Sequence, residues 1–210
     1  MTGIVSTEWL AGRMTRRSLR LLDVRGSFAT YEEAHIPGAQ FLHVETLRMT
    51  RGGTPCQMHE LPVLAAIFGQ LGIAWDSAVV LYSTGPDDHL GATYALWTLY
   101  VTGNRDVYLL DGHLNKWKAE QRPVTQEHPR ISAAQYECRF DDAQYADWRY
   151  VRDHLGDPDV VLVDSRTRSS YTGETGVTIR RGHIPGAILH NYLWDFHRDG
   201  TYHDLEVIRA

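Results

Sequence analysis

Few residues of this 210-residue chain have chemistry to offer: two cysteines, eleven histidines, a serine ahead of a histidine, and charged pairs at fixed spacing. Cys56 lies in Arg51-Gly52-Gly53-Thr54-Pro55-Cys56-Gln57, a Gly- and Pro-bearing loop with no strand–loop–helix cradle to activate a thiol. Cys138, in Tyr136-Glu137-Cys138-Arg139-Phe140, reads as part of an extended segment and as a structural thiol. Ser83, Asp88 and His89 could in principle form a hydrolase set, but no G-x-S-x-G surrounds Ser83. The histidines show no H-x-x-x-H spacing, so no metal is expected. Asp23-Val24-Arg25 and Asp164-Ser165-Arg166 put opposite charges at the ends of apolar runs, where structural ion pairs form. Arg180 and Arg181 offer two adjacent guanidinium groups that could clamp a small anion.

The elements that position these residues repeat. Leu21-Leu22-Asp23-Val24-Arg25 precedes His35-Ile36-Pro37-Gly38-Ala39, and Val161-Leu162-Val163-Asp164-Ser165-Arg166 precedes Gly182-His183-Ile184-Pro185-Gly186-Ala187. The two Asp are 141 residues apart and the two His 148, so the second copy carries an insertion within 167–181. Such a period signals duplication and is too long for a solenoid. In each copy the imidazole is expected to fix the turn by hydrogen bonding, with Tyr171 and Trp194 as packing residues.

Apolar runs at 20–24, 79–82, 107–110 and 160–163 read as buried parallel strands. Residues 61–71 and 91–101 read as helices, the second with Ala92, Ala95, Leu96 and Leu99 on one side. Strands alternating with helices imply an α/β fold. Residues 121–130 hold two prolines and no apolar period, so the linker is placed at 125–130, between domains at 1–124 and 131–210.

Hydrophobic residues make up 43% and charged residues 22%, which excludes disordered and disulfide-scaffold classes. A net charge of −5 argues against nucleic-acid or membrane-surface binding. No export segment or membrane span is read, and two cysteines point to a reducing, cytoplasmic setting.

The ordered set of motifs resembles the tandem-domain members of the rhodanese sulfurtransferase family. Ser6 to Ala11 resembles the opening helix, and the duplicated Asp-x-Arg and His-Ile-Pro-Gly-Ala segments resemble the two signatures. Leu110-Asp111-Gly112 with Trp117 resembles the closing segment, with His113 where a second Gly is usual, and Tyr94 to Trp97 resembles the helix after the active-site-like loop. The resemblance implies two α/β domains, each with a small, mostly parallel sheet flanked by helices. It implies a cysteine between a strand and a helix N-terminus, which takes sulfur from a small anionic donor and passes it as a persulfide to a thiol or cyanide, without a cofactor.

On that resemblance Ser83 occupies the cysteine position of domain one. It cannot store a persulfide, and Asp87 and Asp88 would repel an anion. The 44 residues from Ala39 to Ser83, counted on from Ala187, run past Ala210. The nucleophile is therefore expected after Ala210, and domain two is read as incomplete: a fragment of a longer tandem protein, or a natural truncation. More chain, a partner fragment or another protomer would supply its missing strands. Arg180 and Arg181 are the expected substrate-binding residues. A catalytically silent binding or regulatory module is the alternative. A phosphatase of related fold would need a longer loop beginning His-Cys.

Overall fold

The computed structural model describes residues 3–85, 88–176 and 180–209. The chain divides into two compact units, Met1–Asp142 with Asp199–Thr201, and Ala143–Arg198 with Tyr202–Ala210.

In the first unit, β1 (Gly3–Val5) leads to α1 (Thr7–Ala11), whose N-cap Ser6 accepts the Trp9 amide at 3.1 Å. There follow β2 (Leu19–Asp23), α2 (Phe28–Glu33), β3 (Ala39–Phe41) and a 3-10 turn at Val44–Leu47. An antiparallel hairpin of β4 (Arg48–Arg51) and β5 (Thr54–Met58) precedes α3 (Leu61–Gln70). The unit then continues through β6 (Ala78–Tyr82), α4 (Leu90–Val101), β7 (Val107–Leu110) and α5 (His113–Ala119). The sheet runs β1-β7-β6-β2-β3 with every pair parallel. Val79, Val80, Leu81 and Tyr82 of β6 are fully buried, as a central parallel strand requires. Each such side chain contributes about 1.5–3 kcal/mol of burial. The runs read as strands at 20–24, 79–82 and 107–110 and as helices at 61–71 and 91–101 all appear, displaced by one residue at most.

The second unit repeats this order as far as it goes. Asp147 caps α6 (Trp148–Asp153), then come β8 (Val163–Asp164), α7 (Arg168–Thr172), β9 (Ile188–Leu189), a 3-10 turn at Tyr192–Asp195 and α8 (Leu205–Arg209). β8 and β9 pair in parallel as β2 and β3 do. The expected strand at 160–163 is shorter than the apolar run: only Val163 and Asp164 are strand. β2 is five residues long because β6 pairs along its whole length, whereas among the described residues β8 pairs with β9 alone, at Val163 and Asp164. Beyond those two residues no neighbouring strand supplies the ladder hydrogen bonds that make a strand.

The expected linker at 125–130 also differs from the observed division. Residues 131–141 stay with the first unit. Ala134 N–H donates to Gly69 O at 2.8 Å, Arg139 N–H to Thr102 O at 2.7 Å and Asp141 N–H to Val101 O at 2.9 Å. Tyr136 is buried edge-on to Phe68 with its hydroxyl 3.0 Å from that of Thr102. These residues carry no apolar period because they adhere as an extended strap, one side chain at a time. Among the described residues no helix is long and apolar enough to cross a membrane.

Candidate functional site

The loop after β6 is where a strand hands over to a helix at the carboxyl edge of the first sheet, the usual place for ligands in parallel α/β folds. Ser83 opens it, fully buried. Its Oγ donates to Gly85 O at 3.2 Å and lies 3.3 Å from His113 Nδ1, while its amide donates to the same Nδ1 at 3.2 Å. An Nδ1 that accepts an amide carries no proton, so the imidazole proton is assigned to Nε2. Burial, together with the His89 ring 6.3 Å away, pushes the pKa of His113 down to about 4. The imidazole is therefore neutral at neutral pH.

The α5 N-terminus completes the closure. Leu114 N–H donates to Ser83 O at 3.1 Å and Asn115 N–H to Thr84 O at 3.0 Å. A Cβ at Gly85 would lie 2.7 Å from the Asn115 side-chain nitrogen, so a larger residue there would displace the Asn115 amide. A buried hydroxyl whose proton already serves a carbonyl, beside a weakly basic imidazole, has the geometry of a sealed turn rather than of a nucleophile. Asp88 accepts from Thr84 Oγ1 at 3.3 Å. Asp87, expected to repel an anion, lies outside the described residues. The partnership of Ser83 with His113 was not read from the sequence. The one available signal was an imidazole following Gly112 where a second glycine is usual, and His113 indeed has a φ of 54°.

The duplicated motif builds the same circuit twice. Arg25 Nε donates to Asp23 Oδ1 at 2.7 Å and Arg166 Nε to Asp164 Oδ1 at 2.9 Å. Arg25 Nη2 reaches Ala34 O and Arg166 Nη2 reaches Gly182 O, each at 2.8 Å. Tyr31 stacks on His35 and Tyr171 on His183, with each hydroxyl donating at 2.8 Å to the carbonyl of Ala39 or Ala187. The histidine Nδ1 sits 2.9 Å from Tyr31 O in the first unit and 2.8 Å from Tyr171 O in the second. Gly38 and Gly186 turn at φ 82° and 85°, a left-handed conformation open to glycine.

Arg180 and Arg181, both exposed, line an open groove of the second unit with Asp164, Arg166, His183 and the apolar edge of Val163. The Arg166 hydrogen bond holds the Asp164 carboxyl below its ordinary range. Residues 177–179 of the insertion lie outside the described residues. Cys56 is exposed on β5, with a φ of 59°, rather than in the loop expected for it. The half-buried Cys138 thiol donates to Leu61 O at 3.4 Å, and burial pushes its pKa up to about 11. Neither thiol stands before a helix N-terminus, so neither has the setting of an activated thiolate.

The rhodanese-like domain family matches residues 6–120. A putative thiosulfate sulfurtransferase of Synechococcus elongatus is 36% identical over 183 residues, covering 87% of this chain and 56% of the relative. The sulfur carrier protein TtuD of Thermus thermophilus is 31% identical over 219 residues, covering 99% of this chain and 75% of the relative. The chain thus spans little more than half the length of one relative and three quarters of the other. Among solved structures, the 3-mercaptopyruvate sulfotransferase SseA from Escherichia coli superposes with a TM-score of 0.87 at 22% identity, over 100% of this chain and 82% of that one. With a family match over more than half its length and relatives of this identity, the chain belongs to the rhodanese family.

Proposed function

We propose that this chain is part of a thiosulfate-type sulfurtransferase built from two rhodanese-like domains, the first non-catalytic and the second completed by polypeptide outside these 210 residues. The reading is carried by one observation: the Asp-x-Arg pair, the arginine bond to the carbonyl before the histidine and the Tyr–His stack recur in a second unit whose β8, among the described residues, has one ladder partner. The first unit fills the corresponding position after its central strand with Ser83, sealed by His113.

In this reading the nucleophile is a cysteine on that further polypeptide, held at a helix N-terminus where backbone amides favour its thiolate. The thiolate attacks the outer sulfur of thiosulfate. The sulfur–sulfur bond breaks, sulfite leaves with the electron pair, and a persulfide remains. A thiol or cyanide then takes the outer sulfur and frees the thiolate. Arg180 and Arg181 hold the anionic donor, a role supported by their place on the groove beside Asp164 and His183. The names of the Synechococcus and Escherichia relatives leave thiosulfate and 3-mercaptopyruvate as the donors to compare. Two free cysteines fit a reducing, cytoplasmic setting.

The 210 residues alone are expected to release no thiocyanate from thiosulfate and cyanide, and the protein extended through the cysteine-bearing strand is expected to do so. Turnover by the 210 residues that persists after Cys56→Ser and Cys138→Ser would overturn the reading. The sealed Ser83 loop favours a second reading, a silent binding or regulatory module, and an extended protein without turnover would support it.

A further inference from the structure

At the amino edge of the first sheet, opposite the Ser83 loop, lies a cleft of about 150 Å³. It is walled by Trp9 and Arg13 at the end of α1, and by Arg16, Asp76, Asp106 and Tyr108 on or just before β2, β6 and β7. The back wall is a fixed stack. Arg13 lies 4.3 Å over the Trp9 ring and donates to Trp9 O at 3.3 Å. Trp9 packs on Tyr108 with ring centroids 5.2 Å apart, and the Tyr108 hydroxyl donates to Asp106 Oδ1 at 2.5 Å. In front of it stand Arg16 and Asp76, both exposed, on the stretches before two strands that pair Leu19 with Ala78. Among the described residues neither side chain has a hydrogen bond or an ion pair, so the two do not close on each other.

The second unit separates what the fold needs from what it does not. Asp147 caps α6 as Ser6 caps α1, which aligns Trp9 with Tyr150, Arg13 with His154 and Arg16 with Asp157. The stack recurs: the His154 ring lies 4.0 Å from that of Tyr150, with Nδ1 2.8 Å from Tyr150 O. The charges do not. Asp157 is spent on its own turn, accepting Asp159 N–H at 3.0 Å. The matching groove is lined by Val151, Leu155 and Val160, with no arginine among its described residues. The stack is therefore architecture, and the uncommitted Arg16 and Asp76 are additions of the first unit.

A singly charged ligand in this cleft is attracted by one of these groups and repelled by the other. A ligand with both charges on neighbouring atoms satisfies both. A guanidinium takes a carboxylate in two parallel hydrogen bonds, and a carboxylate accepts from an ammonium. At about 30 Å³ per water the cleft holds roughly five waters, which leaves space for little beyond the two charged groups. We propose that the amino edge of the first sheet binds a free α-amino acid with a short side chain, its carboxylate on Arg16 and its ammonium on Asp76, with Arg13 and Asp106 flanking. The site is independent of the sulfurtransferase reading.

Alanine added to the whole 15N-labelled chain tests this. Saturable shifts are expected at the Trp9 indole and at the amides of Arg16 and Asp76. N-acetylalanine, which has no ammonium, and alaninamide, which has no carboxylate, are each expected to bind about tenfold more weakly. Arg16→Gln should weaken alanine about tenfold and leave alaninamide unchanged, and Asp76→Asn should weaken alanine about tenfold and leave N-acetylalanine unchanged. The Asp111 amide, which donates to Val5 O at the opposite edge of the sheet, reports that the fold is kept in both variants. The proposal is overturned if millimolar alanine gives no saturable shift, if either derivative binds as tightly as alanine, or if a variant weakens alanine no more than it weakens the matching derivative.

Discussion

The two ion pairs of the repeat differ little in hydrogen-bond geometry and greatly in surroundings. The side chains of Arg25 and Asp23 are 4% and 0% exposed, and those of Arg166 and Asp164 are 47% and 11% exposed. His35 is buried with its Nε2 3.1 Å from Glu127 O, while His183 is exposed. The circuit is therefore a property of a short stretch of chain, made by residues within about twenty positions of one another. Its burial is a property of what packs on it. An arginine, a carboxylate and a turn can assemble locally in water, but only a neighbouring strand and helix remove them from it.

This contrast can be broken most sharply at the carboxylates. Asp23→Ala leaves Arg25 charged and buried without its partner, which should cost about 3–5 kcal/mol. Asp164→Ala removes a half-exposed pair and should cost about 1 kcal/mol or less. Urea unfolding, followed unit by unit through amide exchange, checks the difference. Equal costs would show that the second pair is as sealed as the first.

The next effect belongs to the sealed loop. The pKa of His113 is lower folded, at about 4, than its ordinary 6.5, so the unfolded chain binds more protons between those values. Stability should be fully present above pH 6.5 and fall as the pH drops towards 4, by about 3 kcal/mol. Unfolding free energies measured from pH 7 to 4.5 should show this slope, and it should flatten in His113→Asn. Among its described residues the second unit has no counterpart to this histidine, so its own exchange profile should follow a different pH course.

The smallest effect concerns the strap. Tyr136→Phe keeps the packing on Phe68 and loses the hydroxyl contact with Thr102, at about 1 kcal/mol. The loss should appear in the first unit alone by denaturant midpoint. A matching loss in the second unit would contradict the division at Asp142 and Ala143.

Much of the fold was legible because its signals are local. Parallel strands buried on both faces, such as Val79 to Tyr82, are continuous apolar runs, and α4 shows its packed side through Ala92, Ala95 and Leu99. The histidine turns were legible because His-Ile-Pro-Gly-Ala restricts its own backbone. The strap was not, since Tyr136 and Ala134 find partners some 34 and 65 residues away and follow no period. The pairing of Ser83 with His113 joins residues 30 apart at the ends of two strands that only sheet formation brings together.

Sequence alone determined the repeated Asp-x-Arg and histidine-turn circuit and the α/β alternation, because both depend on short-range sterics and hydrogen bonds. Tertiary structure decided which copy is dry, which loop is closed by an imidazole, and where the first unit ends. Those outcomes depend on desolvation by distant parts of the chain, and no local pattern encodes it.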